Sequence, residues 1–182
     1  MTAEQNFLLS SIVALLCYLS GFWFLFRIPL CKINYEHHKY PKLSIIIPAR
    51  NEESNIGTLL DSINNQSFKP DEVIVVNDSS TDRTKEISLI KNSTVIDSKP
   101  LPQGWLGKPW ACYQGAQNAS GELYFFLDSD TELEEHGLKK IVHTYMNLAQ
   151  NNTANIVLSI APYHKVKKLY EEFSAMFNII MM

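Results

Sequence analysis

Cysteine is scarce: Cys17, Cys31 and Cys112 are odd in number, with no CxxC or His-rich spacing, which argues against a disulfide framework or a structural zinc site. An excess of one charge is lacking too. Sixteen Lys and Arg face nineteen Asp and Glu, a net charge of −3 over 182 residues, so neither a nucleic-acid-coating protein nor a charged disordered tail fits. Low-complexity tracts and internal repeats are absent, and the five histidines show no ligand spacing. What remains is one ordinary domain's length with 46% apolar and 19% charged residues, which are globular proportions.

Charge is missing altogether from Phe7 to Phe26, twenty consecutive residues. As a helix rising about 1.5 Å per residue, the run would be roughly 30 Å long, the hydrocarbon thickness of a bilayer. It is too long for a signal-peptide core, and only Glu4 carries side-chain charge before it. Arg27, Lys32, Lys39 and Lys42 follow against the single Glu36. That basic excess predicts a single-pass anchor with the rest of the chain on the cytoplasmic side. A buried core helix is the alternative. Residues 1–42 are therefore expected to form an anchor and basic linker, and residues 43–182 a separate domain.

From Leu43 onward, apolar β-rich runs alternate with helical patterns. The runs predict strands at Leu43–Ile47, Glu72–Val76, Thr94–Ile96, Leu123–Leu127 and Asn155–Ile160, with helices near Glu53–Asn65, Thr81–Ile90, Pro109–Ala119 and Glu134–Ala149. This βαβ alternation implies an α/β fold, a mostly parallel sheet flanked by helices. Ligands of such sheets lie beyond the carboxyl ends of the strands. Polar clusters stand there: Pro48-Ala49-Arg50-Asn51-Glu52, Asn77-Asp78-Ser79-Ser80-Thr81-Asp82 and Asp128-Ser129-Asp130.

In an extended segment Asp128 and Asp130 would point the same way, with Ser129 turned aside. Two neighbouring carboxylates repel unless a cation shares them, and hard oxygen donors suit Mg²⁺ or Mn²⁺ with phosphate and water completing the shell. A turn or helix cap is the bland reading of the same string. Asp78 is either a turn residue or an acceptor for a nucleobase N–H, and Thr81 or Asp82 is expected to cap the next helix. Lys108, just before a predicted helix, is either a solvated loop lysine or a phosphate contact reinforced by the helix N-terminus. Arg50 carries the same two readings. His136, His143 and His164 read as ordinary surface or packing residues, and the Lys-rich stretch before Leu169, Phe173, Met176, Phe177 and Ile180 as an amphipathic helix against membrane or core.

Taken in order, SIIIPARNEE, DEVIVVNDSSTDRT and GKPWACYQGAQNASGELYFFLDSD resemble the nucleotide-sugar half of the inverting family 2 glycosyltransferases of GT-A fold. The resemblance spans roughly Leu43 to Ile160. The anchor, the Gly104–Gly115 stretch and residues 162–178 are similar to members that attach glucose from UDP-glucose to a carotenoid carboxylate. It implies that Pro48, Ala49, Arg50 and Glu52 line the nucleotide pocket, that Asp78 holds uracil, and that Lys108 lies near the diphosphate. Asp128 would approach ribose, sugar or metal, and Asp130 would be the principal ligand of Mg²⁺ or Mn²⁺. The expected partners are a UDP-sugar donor, a lipid or carotenoid acceptor and the membrane. The family's catalytic base and acceptor segments lie beyond this half, so an N-terminal portion of a longer enzyme is expected, with no base assignable before Met182. Two other readings compete: a haloacid-dehalogenase-type phosphatase using Asp128 within Asp128-Ser129-Asp130-Thr131, and an inactive membrane-anchored nucleotide-binding fragment.

Overall fold

The computed structural model describes residues 3–25, 31, 39–150 and 156–160. Arg27, Lys32, Glu36, His37, His38, Asn155, His164 and the predicted tail helix lie outside them. Two compact units result, residues 1–32 and 33–182.

The first unit is built on α1 (Ala3–Leu25). Phe7, Leu8, Leu9, Ile12, Val13, Leu15, Leu16, Tyr18 and Leu19 are all exposed, and these positions run all the way round a 3.6-residue turn. Ser10 and Ser20 turn their hydroxyls back onto the Phe7 and Cys17 carbonyls at 2.8 and 2.9 Å, so their polar groups are satisfied within the helix. Among the described residues no helix is long and apolar enough to cross a membrane.

In the second unit the order is β1 (Leu43–Ala49), α2 (Ile56–Asn64), β2 (Glu72–Asn77), α3 (Thr84–Ile90), β3 (Thr94–Asp97), α4 (Gly107–Asn118), β4 (Leu123–Phe126) and α5 (Gly137–Gln150). All four strands are parallel, in the order β3-β2-β1-β4. Apolar residues on both faces of β1 require cover on both faces. Leu43, Ile45 and Ile47 pack with Leu59, Leu60 and Ile63 of α2 and Leu138 and Val142 of α5. Ile46 joins Ile74, Val76 and Ala111 of α4 on the other face. Fully burying each such side chain contributes about 1.5–3 kcal/mol. The strand order changes direction between β1 and β4, the switch point at which open parallel sheets place their ligand crevice.

Helix α4 begins two residues before the predicted start. Pro109 falls in its first turn, where a missing N–H leaves no bond unmade. The expected fifth strand is corrected: residues 156–160 take no strand conformation, and Val157 is 94% exposed. An apolar run without a neighbouring ladder has nothing to satisfy its backbone groups, and periodicity alone does not reveal that.

Candidate functional site

The loops after β1 and β2 are stitched together. Asn51 Oδ1 accepts the Thr81 N–H at 2.9 Å, Ser80 Oγ accepts the Asn51 N–H at 3.1 Å, and Thr84 Oγ1 accepts the Glu52 N–H at 2.8 Å. Asp82 accepts the N–H groups of Glu53 and Thr84, each at 3.0 Å, a turn onto the first residue of α3, whereas the cap position expected at Thr81 or Asp82 falls on Arg83, which makes no side-chain capping bond. The Asp82 carboxyl is held low: burial pushes it up, and the bonds from Thr84 and Glu53 outweigh that. Asn51 and Ser79 adopt φ of 55° and 58°, left-handed conformations that Asn supports and Ser adopts at a cost. The polar residues of both motifs are therefore largely spent on fixing two loops.

What those loops leave available converges at the carboxyl ends of the strands. Asp78 follows β2, its N–H bonded to the Ala49 carbonyl at 2.9 Å. Its Oδ2 lies 3.8 Å from Arg50 Nη1. A Cβ added at Gly107, the first residue of α4, would stand 3.1 Å from that same oxygen. The next residue, Lys108, places Nζ 2.7 Å from Oδ1 of Asp128, which follows β4. The Asp128 hydrogen bond raises the Lys108 pKa against the opposing effect of burial, and Asp130 adds to the attraction. One line thus runs Arg50, Asp78, Gly107, Lys108, Asp128, with Asp130 close enough to be felt.

The DxD segment is not extended as its spacing implied. Asp128–Thr131 closes a turn, with the Asp128 carbonyl accepting from the Thr131 N–H at 3.2 Å and its Oγ1 at 2.7 Å. Turn chemistry of the Ser and Thr overrides the strand once β4 ends. Asp128 and Asp130 are nonetheless exposed and Ser129 is buried, so both carboxylates face outward. No group of three or more His, Cys, Asp or Glu that could hold a metal occurs among the described residues. Among those residues the Lys108 ammonium pairs with Asp128 alone; two exposed carboxylates with no third ligand there suit only an ion that, like Mg²⁺ or Mn²⁺, takes most of its positions from water and phosphate.

The remaining predicted residues sit apart from that line. Pro48 and Ala49 are buried within β1, leaving backbone as what they offer a ligand. Glu52 accepts from Asn55 Nδ2 at 2.8 Å and gives its carbonyl to the start of α2. His136 bonds Ser67 Oγ at 2.8 Å and His143 is buried on α5. A cleft of about 540 Å³ between Asp61 and Glu135 contains none of the site residues.

Sequence reading missed three supports. Gly115 lets α4 lie against the sheet, since its Cβ would come 2.4 Å from Ile46 Cγ2 and 3.1 Å from Val76 Cγ2. A glycine inside an otherwise helical stretch was the available signal. Trp105, Trp110 and Tyr113 form a trio with centroids 5.1 to 5.6 Å apart, and Trp110 Nε1 donates to the Lys99 carbonyl at 2.9 Å, bracing the loop that leads into α4. Cys112, one turn beyond Lys108, has its thiol pKa pushed up, chiefly by burial, which keeps it protonated at neutral pH.

The Glycosyl transferase family 2 model matches residues 44–179. The chain belongs to glycosyl transferase family 2. The 4,4'-diaponeurosporenoate glycosyltransferase of Staphylococcus aureus (strain bovine RF122 / ET3-1) is 42% identical over 149 residues, 81% of this chain and 38% of that protein. The chain thus spans well under half the length of this family 2 relative. Among solved structures, a mycobacterial protein aligns with a TM-score of 0.50 and 27% identity, covering 58% of this chain and 37% of that one. Glucosyl-3-phosphoglycerate synthase from Mycobacterium tuberculosis, solved with Mn²⁺, UDP and glucosyl-3-phosphoglycerate, aligns with a TM-score of 0.44 and 28% identity over 50% of this chain and 36% of that chain. Family membership, with three strand–helix units ahead of Asp128, displaces the phosphatase reading of Asp128-Ser129-Asp130-Thr131.

Proposed function

We propose that this chain is the donor-binding part of a membrane-anchored, inverting glycosyltransferase that moves glucose from UDP-glucose to a lipid acid, a carotenoid carboxylate. The observation that carries the reading is the Lys108–Asp128 contact of 2.7 Å at the β1/β4 crevice of a family 2 chain. It brings a phosphate-type cation and a metal-type carboxylate to one point, with Asp78 and Arg50 further along for the nucleotide. The 42% identity to diaponeurosporenoate glycosyltransferase supports the acceptor.

Asp128 and Asp130 would hold Mg²⁺ or Mn²⁺, which neutralises charge developing on the departing diphosphate. Lys108 and the first N–H groups of α4 add positive potential beside it. Asp78 would accept from the uracil N–H, with the Arg50 guanidinium 3.8 Å away beside it. Displacement without a covalent enzyme intermediate inverts the anomeric carbon. A carboxylic acid acceptor, with a pKa near 4, is already ionised at neutral pH, so a general base contributes little.

The anchor is α1. In support, it runs 23 residues, about 35 Å at 1.5 Å per residue. Apolar side chains on all its sides are exposed, a pattern that suits hydrocarbon surroundings. Lys and Arg predominate after it, which favours a cytoplasmic catalytic unit.

Asp130→Ala tests the site. It should abolish Mn²⁺-dependent UDP-glucose binding by calorimetry while leaving the circular dichroism spectrum unchanged. Binding equal to wild type would remove the metal assignment. Glucose transfer from labelled UDP-glucose to a carotenoid acid in membranes carrying the complete enzyme tests the acceptor.

A further inference from the structure

Resting on the donor-site reading above, we propose that Lys108 is an exchangeable counter-ion: it holds Asp128 when the site is empty of donor, and transfers to the donor's diphosphate as the divalent ion takes over Asp128. Entry of the ion together with the nucleotide diphosphate is thereby favoured over entry of the ion alone.

Four observations lead there. Lys108 Nζ stands 2.7 Å from Asp128 Oδ1, where a divalent ion would need to coordinate, yet the two side chains are 60% and 56% exposed. A pair so open to water is weakly held and readily exchanged. Secondly, the described residues offer no third acidic, His or Cys ligand beside the two aspartates. With Asp128 engaged by Lys108, a lone ion finds only Asp130 free. Thirdly, Lys108 is fixed at its root but free at its tip. Helix α4 is packed on the sheet through Ala111 against Ile46, Ile74 and Val76, with Gly107 and Gly115 allowing its close approach, whereas four methylenes let the ammonium swing. Fourthly, Leu106 at the N-cap provides no side-chain bond, so the first N–H groups of α4 are open to the anion that would receive Lys108.

Charge sets the direction. Without donor, a divalent cation meets an ammonium already seated on its ligand. With donor, the diphosphate attracts both cations, and each gains a separate anionic partner. Lys108 is thus a positioning residue for metal entry as well as a donor contact.

The test uses the 182-residue chain in detergent, with free Mn²⁺ read by electron paramagnetic resonance, with and without UDP. Lys108→Gln should bind Mn²⁺ alone more tightly than wild type, by roughly threefold or more, since a repelling charge is gone and Asp128 is released. The same variant should bind UDP in the presence of Mn²⁺ several-fold more weakly. These opposite movements are the signature, and Lys108→Arg should reverse both. Unchanged or weaker Mn²⁺ binding by Lys108→Gln, in a chain whose wild type binds UDP with Mn²⁺, would overturn the exchange and leave the donor site standing. Wild type that binds Mn²⁺ no better with UDP than without it would overturn the donor site and the exchange together. Because Lys108 is more than half exposed, the variant should retain the wild-type fold, checked by tryptophan fluorescence from Trp105 and Trp110.

Discussion

Replacing Gly115 by alanine would place a Cβ 2.4 Å from Ile46 Cγ2 and 3.1 Å from Val76 Cγ2, where ordinary contacts begin at 3.4 Å. Both neighbours are branched side chains rooted in the central strands, and Ile46 and Val76 are fully buried, so neither can swing into solvent. Helix α4 must lift by about 1 Å, or Ile46 must leave its rotamer. Overpacking of this kind costs about 1–3 kcal/mol. Against it stands the helix preference of alanine over glycine, about 1 kcal/mol. The net expectation is a destabilised chain, read as a lower denaturation midpoint in tryptophan fluorescence, since Trp110 rides on α4. The decisive measurement is the same substitution in an Ile46→Ala background. Ile46→Ala alone should cost about 2–5 kcal/mol, but with Cγ2 gone the Gly115→Ala change should become neutral or stabilising, a coupling within the 0.5–3 kcal/mol seen for touching residues. If Gly115→Ala stabilises the chain that still has Ile46, the close approach of α4 to the sheet is wrong, and with it the account of how Lys108 and Gly107 are held over the strand ends.

Two further outcomes are expected. Glu72 accepts from Ser44 Oγ and the Ser120 N–H at 2.5 Å each, and from the Gly121 N–H at 3.2 Å. The Ser44 bond, followed by those from Ser120 and Gly121, holds its carboxyl below the usual 4.5 against an opposing effect of burial. A lowered folded pKa adds stability that is present above the unfolded value and lost as pH falls through the folded one. Glu72→Gln should therefore cost about 1–2 kcal/mol at neutral pH, and the gap between the two proteins should start to narrow once pH falls below the usual 4.5 and close below the lower folded value; a gap that does not narrow at all in acid would count against these bonds. At Asn51, φ 55° and the bond to the Thr81 N–H separate by substitution. Asn51→Gly should lose only the bond, about 1 kcal/mol, and Asn51→Ala about 1 kcal/mol more for a left-handed alanine; equal losses would refute the strain.

The parallel sheet was legible because its strands are apolar on both faces and bounded by turn residues, and β1 through β4 begin where the pattern places them. Boundaries drifted where tertiary packing decides: α4 extends back to Gly107 because Gly107 can approach Asp78, a contact with no local signal. The fifth strand failed for a related reason, since Ile156–Ile160 has strand composition and no ladder partner in the described sheet. Asp78, Lys108 and Asp128 could be proposed from their positions after strands, yet nothing in the spacing predicted that Lys108 would meet Asp128. They are twenty residues apart in sequence and are joined only because α4 crosses the sheet and β4 returns beside β1.

That crossing also explains why a site should assemble here. The connections through α2 and α3 carry the chain outward from β1 to β3 on one face, and α4 carries it back across the other face to β4. The start of α4 is thereby suspended above the carboxyl ends of β1 and β2, with β4 alongside. A lysine in its first turn faces whatever acidic group ends β4, and a glycine at its first position lies against whatever ends β2. Moving Lys108 one position along α4 would rotate it by about 100°, away from Asp128 and toward the side occupied by the Trp105–Trp110–Tyr113 trio. The charge pairing of the site therefore depends on helix phase as well as on residue type, and Gly115, two turns further on, sets that phase by permitting only one face of α4 to approach Ile46.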